Sequence, residues 1–191
     1  EGIRARGAAF VDYDNDGWLD LVVVGEPTDG GRGVYLWRNM GSGEFEDRSH
    51  LLPAIPATGV VAFDYDADSD LDLLITGPTG LRLFRNAGGN LNGYVRIRLT
   101  ALRTGSGKNN TFGIGARLEL RAGALHQTRV VTGSATLIGL GRLRLADVLR
   151  VEWPNGVPEV LAAPSSDPNV REAEALKGSC AFVYPWDGER Y

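Results

Sequence analysis

Three features of the sequence predict an all-β chain, in which strand repeats are followed by a small antiparallel β domain. Glycine occurs 26 times and proline nine times in 191 residues, enough turn formers to punctuate many short strands. A segment near the N-terminus recurs 52 residues later with every anchor in place. Beyond about residue 92, apolar and polar side chains alternate in short runs, the period of a half-exposed strand.

The repeat sets the order of the first elements. One copy, GAAFVDYDNDGWLDLVVVG, runs from Gly7 to Gly25, and the other, GVVAFDYDADSDLDLLITG, from Gly59 to Gly77. Leu19 and Leu21–Val24 form a β-branched apolar run between an aspartate-rich loop and a glycine, and Leu71 and Leu73–Thr76 do the same in the second copy. A second matched strand follows each, GVYLWRN ending at Asn39 and GLRLFRN ending at Asn86, with Tyr35–Trp37 and Leu81–Phe84 as the partner strands. The first copy carries extra residues between them in EPTDGGR, a loop insertion. The unit is strand, acidic loop, strand, turn, strand, and no such unit buries its apolar face alone.

From residue 92 four further strands are expected, in YVRIRLTAL, GIGARLELRAG, HQTRVVTG and DVLRVEWPNG, with a polar loop at 104–111. The organisation expected is repeats over 1–91, a β domain over 92–161, then a linker at 162–175 leading into the start of another strand before 191. The chain begins at Glu1 without a methionine and shows no leader, which reads as a trimmed piece of something longer.

Composition excludes several classes. The arginines are scattered among strands, so no nucleic-acid footprint is present, and no run approaches the roughly 18 apolar residues of a membrane span. The net charge of −4 is local in origin: nine aspartates fall within 12–20 and 64–72, and without them the chain would be net basic. Such local acidity calls for a local cation. Cys180 is the single cysteine, so neither an internal disulfide nor a cysteine metal site is expected.

Asp12, Asp14, Asp16 and Asp20 stand at positions 1, 3, 5 and 9 of a loop whose sixth residue is Gly17. Calcium takes six to eight oxygens, and carboxylates at this spacing converge in a tight turn, with the carbonyl of Trp18 at position 7 as a further oxygen. The second loop repeats the scheme with Asp64, Asp66, Asp68, Asp70 and Asp72, and Ser69 replaces the glycine at some expected strain. An EF-hand does not fit, because position 12 is Val23 or Ile75 and both flanks read as strand. Magnesium rarely uses a cage of four carboxylates. A merely solvated turn would leave four carboxylates repelling one another. Ca2+ is therefore the expected ligand of both loops.

FVDYDNDGWLDLVVV and AFDYDADSDLDLLI resemble FG-GAP (VCBS-type) repeats, the calcium-binding blades of integrin-like β-propellers. The resemblance covers about residues 5–90 and implies β-propeller-type blades in which Asp12, Asp14, Asp16, Asp20 and Asp64, Asp66, Asp68, Asp72 ligate calcium. GIGARLEL at 113–120, QTRVV at 127–131 and RVEWPNG at 150–156 resemble the ASPIC/UnbV domain that follows such repeats in secreted proteins, although only GLG at 139–141 remains of its usual middle run. LKGSCAFVYPWDG resembles the region after that domain in long relatives. Together these imply an extracellular scaffold or binding module without established catalysis.

No active site competes. His50 and His126 lack a nucleophile motif nearby, and Cys180 has no basic companion. Calcium-bound carboxylates are poor acids and bases. Trp37 and Phe84 occupy equivalent places and read as core, Trp18 as packing before ligand contact, and Asn109-Asn110-Thr111 as a sequon of a kind frequent by chance. The expected function is a non-enzymatic, calcium-stabilised module, secreted or on the cell surface, that engages a protein or glycan partner. An accessory part of a larger secreted enzyme, or a self-assembling structural subunit, are the alternatives.

Overall fold

Each repeat folds as an antiparallel sheet whose middle strand is its most apolar one. In the computed structural model, which describes residues 2–28, 30–103 and 109–173, β1 (Ile3–Val11), β2 (Asp20–Pro27), β3 (Val34–Asn39) and β4 (Phe45–Asp47) form one sheet in chain order. β5 (Gly59–Phe63), β6 (Asp72–Gly77) and β7 (Gly80–Phe84) form the second. The first blade therefore has a fourth strand, β4, that the repeat pattern did not announce. Its short FED run lacks the alternation that marks a strand.

The closing glycines of the repeat have a steric reason. A Cβ on Gly25 would overlap the Arg4 carbonyl, and one on Gly77 would sit 2.5 Å from the Pro56 carbonyl. The chain passes too close at both places for any side chain.

The two sheets pack face to face. Val11, Val22, Val24, Val34 and Leu36 of the first blade meet Leu73 and Ile75 of the second, with Val60, Ala62 and Phe84 around them. Phe84 thus packs in this core as expected. Trp37, its counterpart, does not: it is half-buried on the opposite face of its blade, stacked on Tyr35 at 5.2 Å and 8°. Equivalent positions face the same way along the stack, and nothing among the described residues precedes the first blade to cover Trp37.

The remainder is a β-sandwich. β8 (Gly93–Thr100) lies between β11 (Thr136–Gly141) and β14 (Asn169–Arg171) in one sheet, and β9 (Arg117–Ala122), β10 (Leu125–Val130), β12 (Val148–Glu152) and β13 (Pro158–Ala162) form the other in the order β10-β9-β12-β13. β8 alternates strictly between buried and half-buried residues. Its Val95, Ile97 and Leu99 close on Leu118, Leu120, Leu149 and Val151 from the facing sheet, with Trp153 buried at one end.

The reading of 162–175 as a linker is corrected here. Val170 is buried in the sandwich core and β14 pairs in parallel with β8, from Asn169 opposite Arg98 to Arg171 opposite Thr100. Buried Glu172 locks that end, accepting hydrogen bonds from Leu102 N (2.9 Å), Asn109 Nδ2 (2.6 Å) and Asn155 Nδ2 (3.1 Å). A strand three residues long, amid Ala, Pro and Ser, carries too little pattern to be read from sequence. The same bonds engage both ends of the Asn109 amide, whose Oδ1 also accepts from Asn155 N, so the sequon asparagine is part of the structure. Cys180 and the strand expected near the C-terminus lie outside the described residues. Among the described residues no helix is long and apolar enough to cross a membrane.

Both cores are testable. Ile75→Ala, which empties the blade junction, should cost about 2–5 kcal/mol. Val170→Ala should cost roughly 1.5–3 kcal/mol if β14 is an integral strand. Urea midpoints followed by circular dichroism measure both, and an unshifted midpoint for Val170→Ala would restore the linker reading.

Candidate metal centres

The two acidic loops join the first strand of each blade to its second, β1 to β2 and β5 to β6. Two left-handed residues curl each loop: Asn15 (φ 53°) and Gly17 (φ 96°) in the first, Ala67 (φ 63°) and Ser69 (φ 77°) in the second. Ser69 thus adopts the conformation that Gly17 adopts freely, the strain its sequence position implies.

The same four bonds then recur in both loops. The position-1 carboxylate accepts from the position-6 amide, Asp12 Oδ2 from Gly17 N at 3.1 Å and Asp64 Oδ2 from Ser69 N at 3.2 Å. The position-5 carboxylate accepts from the position-7 amide, Asp16 from Trp18 N at 2.9 Å and Asp68 from Asp70 N at 3.1 Å. The position-9 aspartate is fully buried and bridges two chain segments. Asp20 accepts from Tyr13 N (3.0 Å) and Asn39 N (2.8 Å), and Asp72 from Tyr65 N (3.0 Å) and Asn86 N (2.7 Å).

This scaffold brings together positions 1, 3 and 9. One carboxylate oxygen from each of Asp12, Asp14 and Asp20 lies within 4.8 Å of the others, and Asp64, Asp66 and Asp72 form the same triad. A cation held at about 2.4 Å from each oxygen spans at most about 4.8 Å between them, so each triad is sized for one divalent ion. Asp12 Oδ1, Asp14 Oδ1 and Asp64 Oδ1 are buried with no hydrogen-bond donor. Buried carboxylate oxygens are normally satisfied, so these orphans fit a cation in both loops.

Positions 5 and 7 stand outside the triads. Asp16 pairs with Arg38 Nη2 at 2.8 Å while Arg38 Nε lies 2.7 Å from Asp14. Asp68 pairs with Arg85 Nη2 at 3.2 Å while Arg85 Nε lies 2.7 Å from Asp66. Asp70 is buried and packs against Gly89. The Trp18 ring is 45% exposed and lies over Gly41, where a Cβ would come within 2.7 Å of it. The arginine forks went unread in the sequence, yet the signal was there: WRN and FRN close the matched strands in both copies.

The sandwich roofs the loops. A Cβ on Gly139 of β11 would collide with Asp12 Oδ2 and the Asn15 backbone, and Gly141 N donates to Asn15 O at 2.8 Å. Arg96 of β8 reaches the second loop, donating to Asp64 Oδ2 (2.8 Å), Ala67 O (2.9 Å) and Ser69 Oγ (2.6 Å). Asn15 Nδ2 donates to Ser69 O at 2.8 Å and ties the loops together.

This covering has an electrostatic consequence. Burial first, then the neighbouring Asp16, Asp20 and Asp14, pushes the Asp12 carboxyl up to about 7. Burial likewise raises Asp20 to about 7, against the two amides that favour its charge. Burial and Asp16 raise Asp14 as well. Without a cation, the first loop resists carrying its full charge at neutral pH.

Residues 12–75 match the model of the FG-GAP-like repeat, a span that takes in both acidic loops and ends within β6. The match does not reach the sandwich. No curated protein matches the chain.

A pH dependence follows from the raised carboxyls. The folded state binds their protons more tightly than the unfolded chain, so this contribution to stability is complete below about pH 4 and lost as pH rises through 7. In chelator, the urea midpoint should therefore fall between about pH 5 and 8. Asp12→Asn, which keeps an oxygen for Gly17 N, should flatten that slope. A parent chain whose midpoint rises over the same range would contradict the burial of these charges.

Proposed function

We propose that the chain is a non-catalytic, calcium-binding module of an extracellular or cell-surface protein that mediates protein interaction, adhesion or assembly. The observation that carries this reading is the pair of equivalent aspartate triads with orphaned, buried oxygens. Asp12, Asp14 and Asp20 would hold one ion and Asp64, Asp66 and Asp72 the other. Asp16, Asp68 and Asp70 stand beside them, and the Trp18 carbonyl would be a further oxygen. A hard cation that accepts many oxygens in loose geometry suits a site built from carboxylates and main chain, which favours calcium over magnesium.

The ion's contribution is structural. It would neutralise carboxylates that burial forces together and so hold the loops against the sandwich. An ion that binds only the folded state adds about 2.7 kcal/mol at a hundredfold excess over Kd. Extracellular calcium fills weak sites that a cytosolic setting would leave empty, which supports the location proposed. The resemblance of 113–156 to the ASPIC/UnbV domain supports the same setting.

The two sites should differ. Arg96 places a fixed positive charge on Asp64, and the same charge that satisfies this oxygen opposes a cation there. The first loop should bind calcium more tightly.

Thermal unfolding with saturating calcium and with chelator tests the reading. Calcium should raise Tm by several degrees in the parent chain, by less in Asp12→Asn or Asp64→Asn, and hardly at all in the double variant. Equal melting curves under all conditions would sink it. In an Asp12→Asn background, Arg96→Gln should tighten calcium at the second loop by about tenfold in calorimetry, about 1.4 kcal/mol. Unchanged or weaker binding would show that Arg96 is not a competing charge.

A further inference from the structure

Residues paired directly across an antiparallel sheet share a face, so the strand registers assign the four faces of the two blades. In the first blade Val11, Val22, Val24, Val34 and Leu36 face the second blade and are buried. Its other face carries Ala8, Phe10, Leu21, Val23, Tyr35 and Trp37, through the pairings Phe10–Leu21–Trp37 and Ala8–Val23–Tyr35. In the second blade Val60, Ala62, Leu73, Ile75 and Phe84 face the first. Its other face carries Val61, Phe63, Leu74, Leu81 and Leu83, through the pairings Val61–Leu74–Leu83 and Thr76–Leu81.

The repeat relates these faces to one another. Counting from the shared anchors, Val11, Val22, Val34 and Leu36 correspond to Phe63, Leu74, Leu81 and Leu83. Ala62, Leu73, Ile75 and Phe84 correspond to Phe10, Leu21, Val23 and Trp37. The two outer faces are thus copies of the two faces that already pack against each other. They remain exposed, at 65% for Phe10, 58% for Val61 and 68% for Leu81. Large apolar surfaces of this kind mark interaction sites.

We propose that these faces bind each other between chains, so that the Phe10–Trp37 face of one copy seats on the Leu81–Leu83 face of a second copy, as the blades pack within one chain. The occupant is a second copy because the matching surface is on the chain itself and its packing partner is already seen. Such a contact is heterologous: it leaves one free face at each end and builds rings or open chains rather than closed two-fold dimers. The proposal deepens the interaction reading by naming a partner, and it does not depend on the metal.

Sedimentation velocity of the full chain in constant saturating calcium tests this. The mean mass should climb past that of one chain as concentration rises. Leu81→Glu with Leu83→Glu, and separately Ala8→Glu with Phe10→Glu, alter exposed positions and should each remain single chains. Mixing the two variants should restore a one-to-one pair, because each keeps the face the other lacks. A parent chain that stays single at every concentration would overturn the proposal, and an intact calcium-dependent Tm in the same sample would leave the metal reading standing. Association that persists in the Leu81/Leu83 variant alone would also overturn it, pointing to pairing along the open edge of β7 instead.

Discussion

The N-terminal half depends on one bond pattern, the buried position-9 aspartate with both oxygens committed to backbone amides. Asp20 holds the start of its loop at Tyr13 and the end of β3 at Asn39, and Asp72 does the same through Tyr65 and Asn86. Carboxylates that accept backbone hydrogen bonds are strong, directional anchors. Here they join three segments that are distant in sequence. Tyr13 and Tyr65 lie between positions 1 and 3, so the clamp bonds the stretch of backbone that presents those two carboxylates to the triad. Crowded charge is the cost of the arrangement, and a proton or a cation must offset it. The arginine forks of Arg38 and Arg85 meet part of that cost at positions 3 and 5, and Arg96 meets it at Asp64, leaving Asp12 the most exposed to it.

Much of this was legible in the sequence, for reasons that can be named. The acidic loops, their flanking strands and the equivalence of the two copies show because the repeat doubles every signal. β8 and β9 show because a sandwich strand with one face in the core must alternate. What escaped has weak local pattern. β4 and β14 are three residues each: β4 is held by pairing with β3 alone, and β14 by pairing with β8 and a single buried side chain, Val170. β11 does not read as a strand, because its GLG end breaks the apolar alternation, and those glycines serve close approach to the first loop. Trp37 read as core because its type and place matched Phe84. Its environment depends on what precedes the blade in space, which no pattern within the repeat encodes. Within the site, residue types and spacing announce the oxygens, but which of them converge is decided by left-handed residues and by arginines on another strand.

The sandwich changes what the loops are. A loop at the tip of a hairpin ordinarily meets water, where carboxylates remain charged at little cost. Gly139 against Asp12 shuts much of that water out of the first tip, Arg96 contacts Asp64 of the second, and the two tips become the junction of three β units. The chemistry of the loops and the seating of the sandwich are therefore coupled: whatever neutralises the carboxylates also holds the roof in place. The coupling is unequal, because Arg96 brings its own charge to the second loop whereas Gly139 brings only shape to the first.

Stacking of repeats carries a direction that local structure does not resolve. A blade whose two faces differ, one filled by Val11, Val22 and Leu36 and the other by Leu21, Val23 and Trp37, satisfies a neighbour on each side but never itself. Adding blades of the same kind moves the two unpaired faces apart without removing either. They vanish only when the stack closes on itself or when another surface of matching shape covers both ends. Two blades cannot close. The sandwich sits across the loop tips rather than over the sheet faces that carry Trp37 and Leu81, so the apolar ends of this stack are a consequence of its repeat order, and the surface that covers them must come from outside the pair.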